Sequence, residues 1–387
     1  MSPDAAVYEE LSDELLSLQQ TVREFAEREV RPHADRLDRT AEFPSEIVRK
    51  AAAIGLLGLC TAEEYGGTNM GNLASSIAVE ELSRVCASTG VTVSVHNSLV
   101  SVPLGKFGSD VVKRKYLPKL ATGELLGAYA LSEPNAGSDA ANQETRAEKR
   151  GDRYLLNGTK LWVTSGDHAG VIIIFARTSR EASSRAKGIT AFMVEKDFKG
   201  FSVGTKEDKL GIRASSTCEL ILQDCEVPEE NVLHQVGDGF RVAMDTLDGG
   251  RIGIASQAVG ITQACLEASI KYAKERQQFN QPIGNFQAIQ WKIADMATQL
   301  SAARMLTRRA AWLRDQHRPC ATEAAMAKLF ASRLANWAAD EAVQIHGSAG
   351  YSTEYPVERY FRDARITEIY EGTTEIQRLV IARHMMQ

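Results

Sequence analysis

Little in this sequence points to a metal, a disulfide framework, a nucleic acid or a membrane. Its six cysteines are Cys60, Cys86, Cys218, Cys225, Cys265 and Cys320, and none forms a CxxC pair. A chain of 387 residues does not need disulfide staples, so reduced, mostly buried thiols are expected. The seven histidines show neither HxxxH nor HxH spacing, and no metal site is expected. Lys+Arg number 45 against 50 Asp+Glu, a net charge of −5. That balance carries no overall footprint for nucleic acid or an anionic membrane, and leaves room for a local basic groove around a phosphate-bearing small molecule. The longest apolar run, Ala51 to Ala62, lies between Lys50 and Glu63 and falls short of the ~20 residues of a membrane span. Asp4, Glu9 and Glu10 stand where a secretory signal would carry basic residues. A cytoplasmic protein is expected, or a mitochondrial-matrix one in a eukaryote.

Three nucleotide and nucleophile motifs are missing as well. Gly237-Asp238-Gly239 continues to Val242 without completing GxGxxG, Gly158-Thr159-Lys160 lacks the earlier glycine of a Walker A loop, and no GxSxG occurs. A nucleotide cofactor, if bound, would not use a Rossmann site.

What is present is ordinary globular chain, 44% hydrophobic and 25% charged, with length for two or three domains. The first third reads as helical. Apolar residues recur from Glu10 to Leu37, with Pro32 expected to kink or end that helix. Pro44 suits the first turn of the next helix. Gly66-Gly67 interrupts the pattern, and further helices are expected near Asn72 to Val85 and, after Ser109 as N-cap, to Leu120. From Leu125 to Leu233, turn residues punctuate the β-rich runs Val171–Phe175, Ile189–Val194, Phe201–Val203 and Cys218–Leu222, which predicts an antiparallel sandwich or barrel. Thr178 to Lys187 reads as a polar surface loop. After Pro228 the chain is helical again, through Ile283–Leu313 and Ala324–Ile345 with Gly347 as C-cap, as in a bundle. The expected domains are 1–122, 123–232 and 233–387.

Four stretches combine glycine, hydroxyl, aromatic and charged residues beyond what packing needs. Tyr129-Ala-Leu-Ser-Glu-Pro-Asn-Ala-Gly-Ser-Asp139 is a β-turn with an Asx-type cap, or a cradle of N–H groups and hydroxyls for an anion or heterocycle. In Leu161-Trp-Val-Thr-Ser-Gly166, alternation puts Trp162 and Thr164 on one strand face, where the indole serves a core or a flat polar-edged ring. Asp248-Gly249-Gly250-Arg251 places two helix-weakening glycines where something must approach the backbone, beside a possible i,i+3 pair of Asp248 and Arg251. In Ile366-Thr-Glu-Ile-Tyr-Glu-Gly-Thr-Thr-Glu-Ile-Gln-Arg378, Thr374 and Gln377 read as a capping box for a helix from Glu375. Glu371 then sits on a loop beside Gly372, as a solvated carboxylate or as a base aimed into an apolar cavity.

Together the four stretches resemble the acyl-CoA dehydrogenase family, over nearly the whole chain and in the same order. The look is of its short-chain (butyryl-CoA) branch, through Ser94-Val-His-Asn-Ser-Leu99, Leu131-Ser-Glu-Pro134, Arg251-Ile-Gly-Ile-Ala-Ser256 and Asp363-Ala-Arg-Ile-Thr-Glu-Ile-Tyr-Glu-Gly-Thr373. The resemblance implies an α+β fold: an N-terminal helical domain, a middle antiparallel β-sandwich or barrel, and a C-terminal four-helix bundle. It implies FAD as cofactor and Glu371 as the catalytic base that removes the α-proton of a short-chain acyl-CoA, while flavin N5 takes the β-hydride to leave trans-2-enoyl-CoA. Tyr129, Leu131, Ser132, Gly137 and Ser138 match the strand and turn along the flavin and its pyrophosphate, and Ser138 also nears the substrate. Trp162, Val163 and Thr164 match residues beside the isoalloxazine. Asp248, Arg251 and Gly372 match substrate contacts, and Thr373 and Glu375 further FAD contacts. Arg276, Phe279, Gln287, Gln344, Ile345, His346 and Gly347 resemble stretches by which a neighbouring subunit completes the FAD site, which implies a homotetramer. The enolate would be held by the base residue's own N–H and a ribityl hydroxyl. The resemblance also implies an electron-transfer flavoprotein as acceptor. Some branches carry the base just before the helix arginine, where this chain has Gly250. Acyl pocket depth is expected to depend on Val91–Leu99 and Leu247–Gly250. Other readings are a branched, cyclic or dicarboxylic acyl-CoA, or a non-catalytic FAD-containing binding protein, against which the acidic balance and the intact Glu-Gly-Thr speak.

Overall fold

The structure is a computed structural model that describes residues 11–179 and 185–386. The acidic opening at Asp4, Glu9 and Glu10, and the centre of the loop expected over 178–187, lie outside the described residues.

Ser12 caps α1 (Asp13–Phe25) by accepting from the Leu15 amide. The helix expected to run to Leu37 breaks before Pro32. A π-turn, Ala26–Val30, follows Phe25, then a 3₁₀ turn, Arg31–His33, which holds Pro32, and then α2 (Ala34–Thr40). Pro44 lies one position outside α3 (Ser45–Ala53), as its N-cap. Then come α4 (Gly71–Ser83), α5 (Ala87–Val95), α6 (Val102–Phe107) and α7 (Asp110–Ala121). As expected, Ser109 caps α7, accepting from Val112 at 3.3 Å. Every residue of α5 is buried, so packing overrides the weak helix propensity of its Val and Thr residues.

The middle of the chain forms β1 (Gly127–Ala130), β2 (Arg146–Arg150), β3 (Arg153–Thr164), β4 (Val171–Arg177), β5 (Ile189–Glu195), β6 (Phe201–Lys206), β7 (Thr217–Pro228) and β8 (Val232–Leu233). They share one hydrogen-bonded path, β6-β7-β3-β2-β4-β5-β8, with β1 added to β4. The wholly antiparallel reading is corrected here. β1 runs parallel to β4, and β2 touches β4 in parallel only at Arg146–Arg177. At that thin link the sheet folds on itself. Leu156, Val163, Leu220 and Val227 of one half meet Ile172, Ile174, Phe192 and Val194 of the other in one core, the two-layer packing of a sandwich. The opposite face of β4 and β5 packs Ile173, Phe175 and Met193 against Leu104, Val112 and Leu117 of α6 and α7. Burial on both faces explains the unbroken apolar run of β4.

The last third holds α8 (Gly239–Glu275), a hairpin of β9 (Gln277–Gln278) and β10 (Gln281–Pro282), α9 (Gln287–Asp315), α10 (Ala321–His346), α11 (Val357–Ile366) and α12 (Thr374–Met385). Gly347 caps α10 at φ +60°. The small residues of α8 and α10 let backbones come close: Ala255, Ala258, Ala327, Ala331, Ala335 and Ala338 are all completely buried in the bundle core. Helix α4 crosses the same bundle, and buried charges tie the parts together. Arg84 bridges Glu27 and Glu267, Arg304 meets Glu80 at 2.8 Å, and Asp363 accepts from the Ile212 amide at 2.5 Å. Arg362 reaches Asp38 at 2.6 Å.

Gly260 marks the α4–α8 crossing, where an added Cβ would stand 2.8 Å from Ser83 Cβ and 3.0 Å from the Arg84 nitrogen. Alanine favours an isolated helix, but here the clash decides. Gly260→Ala is expected to lower stability by about 1–3 kcal/mol, read as a lower melting temperature by calorimetry.

Candidate active site

The C-terminal end of α11 delivers a short loop into the angle between α8, α10 and β1. Glu371 sits there at φ +50° and Gly372 at φ +93°. Side chains of α10 and α12 hold the loop by its carbonyls. Lys328 of α10 donates to the Thr367 oxygen at 2.9 Å and the Gly372 oxygen at 2.7 Å. Gln377 of α12 donates to the Gly372 oxygen at 2.7 Å and, more weakly, to that of Glu371 at 3.4 Å. The expected Thr374–Gln377 capping box does not form. Thr373 is the N-cap, accepting from Ile376, and the helix starts at Thr374; Gln377 is buried and turned toward the loop instead. The Glu371 backbone N–H donates to no acceptor among the described residues.

The Glu371 residue is partly exposed, but its Oε2 is buried and has no hydrogen-bond partner among the described residues. That oxygen occupies the space a side chain at Gly250 would fill, with Leu99 on the other side at 2.8 Å from the same point. The glycine pair in α8 therefore does what its cost in helix propensity requires: Gly250 admits the carboxylate, while Gly249 lies against Arg314, 3.2 Å from an added Cβ. Burial pushes the Glu371 carboxyl up to about 7, against the opposing pull of Lys328 and Arg251. Tyr129 and Tyr370 flank it. Burial and the nearby carboxylate push both phenols well above their ordinary range. The Tyr370 hydroxyl donates to Gln257, whereas the Tyr129 hydroxyl is buried and unpartnered.

Asp248 and Arg251 do form an i,i+3 pair, at 2.5 Å, but it is largely buried rather than a surface bridge. Arg251 Nε has no hydrogen-bond partner among the described residues. Val91, Val95 and Leu99 share one apolar core with Ile252 and Ile254, and Leu99 carries it up to the carboxylate.

The second wall comes from the sheet. Strand β3 slips register between Lys160 and Val163, and Trp162 adopts φ +59° at that bulge. The indole is 60% exposed while Val163 is buried in the sandwich, so a core role for Trp162 is ruled out and Val163 offers only its backbone. Thr164 shares the outer side with Trp162. Ser132 is half-buried at the end of β1, and Gly137 and Ser138 are exposed on the turn that follows. A pair that the motif reading passed over supports this turn. Lys160 is completely buried and meets Glu133 at 2.6 Å; Glu133 also accepts from the Glu144 and Thr145 amides. Lys160 further donates to Gln143 at 3.0 Å. The available signal was a lysine at an inward position of a strand. An exposed indole, adjacent hydroxyls and an unpartnered buried phenol beside a desolvated carboxylate fit a flat ring system with a reacting group pressed against it.

The remaining expected residues are not gathered here. Gln344 to Gly347 close the far end of α10, and His346, 18 positions from Lys328 on the same helix, lies roughly 27 Å along the axis. Ile345 and His346 are buried, His346 stacked on Tyr272 at 4.2 Å. Arg276 and Phe279 lie at the far end of α8. Phe279 and Asn280 form the left-handed hairpin turn, and Phe279 is 87% exposed. Gln287, which opens α9, is exposed, and so is Glu375 on α12. Of these, Glu375 lies beside the Glu371 loop, its carboxylate hydrogen-bonded to Thr373, whereas the side chains of residues 276–287 and 344–347 do not reach that loop in their own chain.

Comparison with known proteins agrees with this layout. The sequence models for the acyl-CoA dehydrogenase N-terminal, middle and C-terminal domains match residues 12–124, 128–225 and 237–386. The mitochondrial short-chain specific acyl-CoA dehydrogenase of Mus musculus is 52% identical over 98% of this chain and 91% of its own. The butyryl-CoA dehydrogenase structure from Megasphaera elsdenii superposes with a TM-score of 0.96 at 42% identity, covering 98% of this chain and 100% of that one. An FAD complex of PigA superposes at 0.92 with 30% identity, covering 97% and 98%.

Because breaking a buried ion pair strands a charge, Lys160→Met is expected to cost about 3–5 kcal/mol. Differential scanning calorimetry beside the double variant Lys160→Met/Glu133→Gln, which should recover part of the loss, checks this.

Proposed function

The chain belongs to the acyl-CoA dehydrogenase family, and on that premise we propose how its own residues carry out the reaction. The protein oxidises short-chain acyl-CoA thioesters to trans-2-enoyl-CoA with FAD as cofactor. No helix among the described residues is long and apolar enough to cross a membrane.

Glu371 is the base. A thioester α-proton is a weak acid, so the carboxylate must be poorly solvated and already aimed. The observation that carries this reading is the buried, unpartnered Oε2 of Glu371, lodged against Gly250. The free Glu371 N–H is a donor for the thioester oxygen as negative charge builds there. FAD, when bound, supplies the acceptor for the β-hydride. Trp162, Thr164, Ser132 and the backbone of Val163 would line it, with Tyr129, Leu131 and the Gly137–Ser138 turn beyond, and Thr373 and Glu375 as further contacts. Arg251, held by Asp248, and Gly372 orient the thioester, with Ser138 near its approach.

Arg276, Phe279, Gln287 and Gln344 to Gly347 serve the FAD of a neighbouring subunit in a homotetramer. Their distance from their own Glu371 supports this, as do the exposed rings of Trp291 and Tyr351. An electron-transfer flavoprotein would take up the electrons that the dehydrogenation releases.

Anaerobic addition of butyryl-CoA is expected to bleach the visible flavin absorbance; an unbleached flavin would identify a non-catalytic binding protein. Glu371→Gln should retain FAD and lose flavin reduction by at least ~100-fold. The base is the ionised form and its carboxyl sits near about 7. The reduction rate should therefore rise with pH through that region and level off above it, as stopped-flow absorbance from pH 5.5 to 8.5 would record. Trp291→Glu should lower the sedimentation coefficient and the FAD content together.

A further inference from the structure

Helix α10 is built mainly from small residues on its buried side, and Ala324, Ala325, Ala327 and Ala331 are completely buried. Lys328 stands among them, 1% exposed. One turn further, Ser332 donates to the Thr367 oxygen at 2.8 Å, and Asn336 to the Ala364 oxygen at 3.0 Å. These three side chains, each four positions apart, form a ladder of donors to carbonyls at the end of α11 and in the loop after it. Ser332 and Asn336 do so as neutral groups. A buried ammonium is a costly donor for carbonyls alone, so its charge calls for a separate reason.

That reason lies one residue before the Gly372 carbonyl that Lys328 holds. Glu371 is faced by Lys328 from α10, Arg251 from α8, Tyr129 from β1 and its neighbour Tyr370. Of the two cations, Arg251 is already engaged by Asp248 at 2.5 Å. Lys328 is faced in turn by Glu371, Glu368, Glu375 and Arg251, and among the described residues its hydrogen bonds go to carbonyls. Its charge is thus left for the carboxylates around the loop, of which Glu371 exerts the strongest pull. Glu371 itself holds a left-handed backbone conformation that a non-glycine residue leaves unless restrained. The two carbonyls that Lys328 grips, Thr367 and Gly372, bracket it.

We propose that Lys328 is a positioning residue of the dehydrogenation, clamping the Glu371 loop through two carbonyls and acting as the counter-cation that keeps the carboxylate charged once the acyl thioester closes the cavity. The inference rests on the reading of Glu371 as the base. Burial pushes the lysine down to about 8 while Glu371 pulls the other way, which agrees with a mutual dependence of the two.

The test compares holoenzymes of the wild type, Lys328→Met and Lys328→Arg in anaerobic stopped-flow reduction by butyryl-CoA across pH. Removing a cation disfavours the carboxylate, so the Lys328→Met midpoint should move up by about one pH unit. Its reduction rate at pH 7 should fall by roughly 30-fold or more, while the apparent substrate Kd changes less than ~3-fold. Hydrogen exchange over residues 366–373, measured by mass spectrometry, should quicken by ~10-fold. Lys328→Arg should restore most of the midpoint and of the exchange protection. If Lys328→Met does not fold, Lys328→Gln takes its place under the same criteria. An unmoved midpoint overturns the proposal even if the variant is slow, since a merely structural lysine would behave that way. So does a Lys328→Arg variant as shifted as the neutral one. Wild-type flavin that butyryl-CoA fails to bleach would instead overturn the reading of Glu371, leaving the two failures distinguishable.

Discussion

A carboxylate that must carry charge, yet must not be solvated or hydrogen-bonded at its reacting oxygen, is the constraint around which this protein is arranged. Oε2 of Glu371 meets that description. Burial alone would protonate it. Lys328 and Arg251 oppose that effect without touching the oxygen, and the carboxyl comes to rest near about 7. In the proposed reading of Glu371 as the base, the arrangement keeps a proton acceptor available near neutrality and leaves its lone pairs for the substrate.

Holding such a group requires contributions from parts of the chain that are far apart. Helix α8 gives up a side chain at Gly250, α10 supplies Lys328, α12 turns Gln377 back on the loop, and β1 brings Tyr129. Ion pairs and hydrogen bonds between Arg362 and Asp38, Asp363 and Ile212, and Arg84 and Glu267 tie α11 to α2 and to the loop before β7, and the end of α4 to α8. Interdomain contacts of this kind contribute more to position than to stability, because desolvation offsets much of their Coulomb attraction. The sheet has its own counterpart in the Lys160–Glu133 pair, which fixes the turn behind Ser132 as Lys328 fixes the loop behind Glu371. Each buried lysine supports backbone that faces a ligand in the proposed reading.

Much of the fold was legible because its signals are local. Ser109 and Gly347 end helices through chemistry confined to one turn, and β4 and β5 announce themselves by β-branched runs. Helix α5 was not legible. Its Val, Ser and Thr residues carry no amphipathic stripe, since it is buried on every side. The early break after Phe25 also went unseen, because a π-turn leaves no residue signature comparable to proline. At the site, Glu371, Gly250 and Trp162 stood out by type and context. Lys328 and Lys160 did not, because a lysine in a helix or strand reads as solvated until its burial is known.

Sequence by itself determined the order of helical, sheet and helical regions, the carboxylate on its glycine loop, and the family to which these belong. Local propensities and short spacings carry that information. Tertiary structure alone decided that Gln377 would pin the loop rather than close a capping box. It also decided that Trp162 would face outward at a bulge, and that residues 276–287 and 344–347 would lie far from the Glu371 of their own chain. Each of those outcomes depends on what packs against the residue in three dimensions, and no local pattern encodes that.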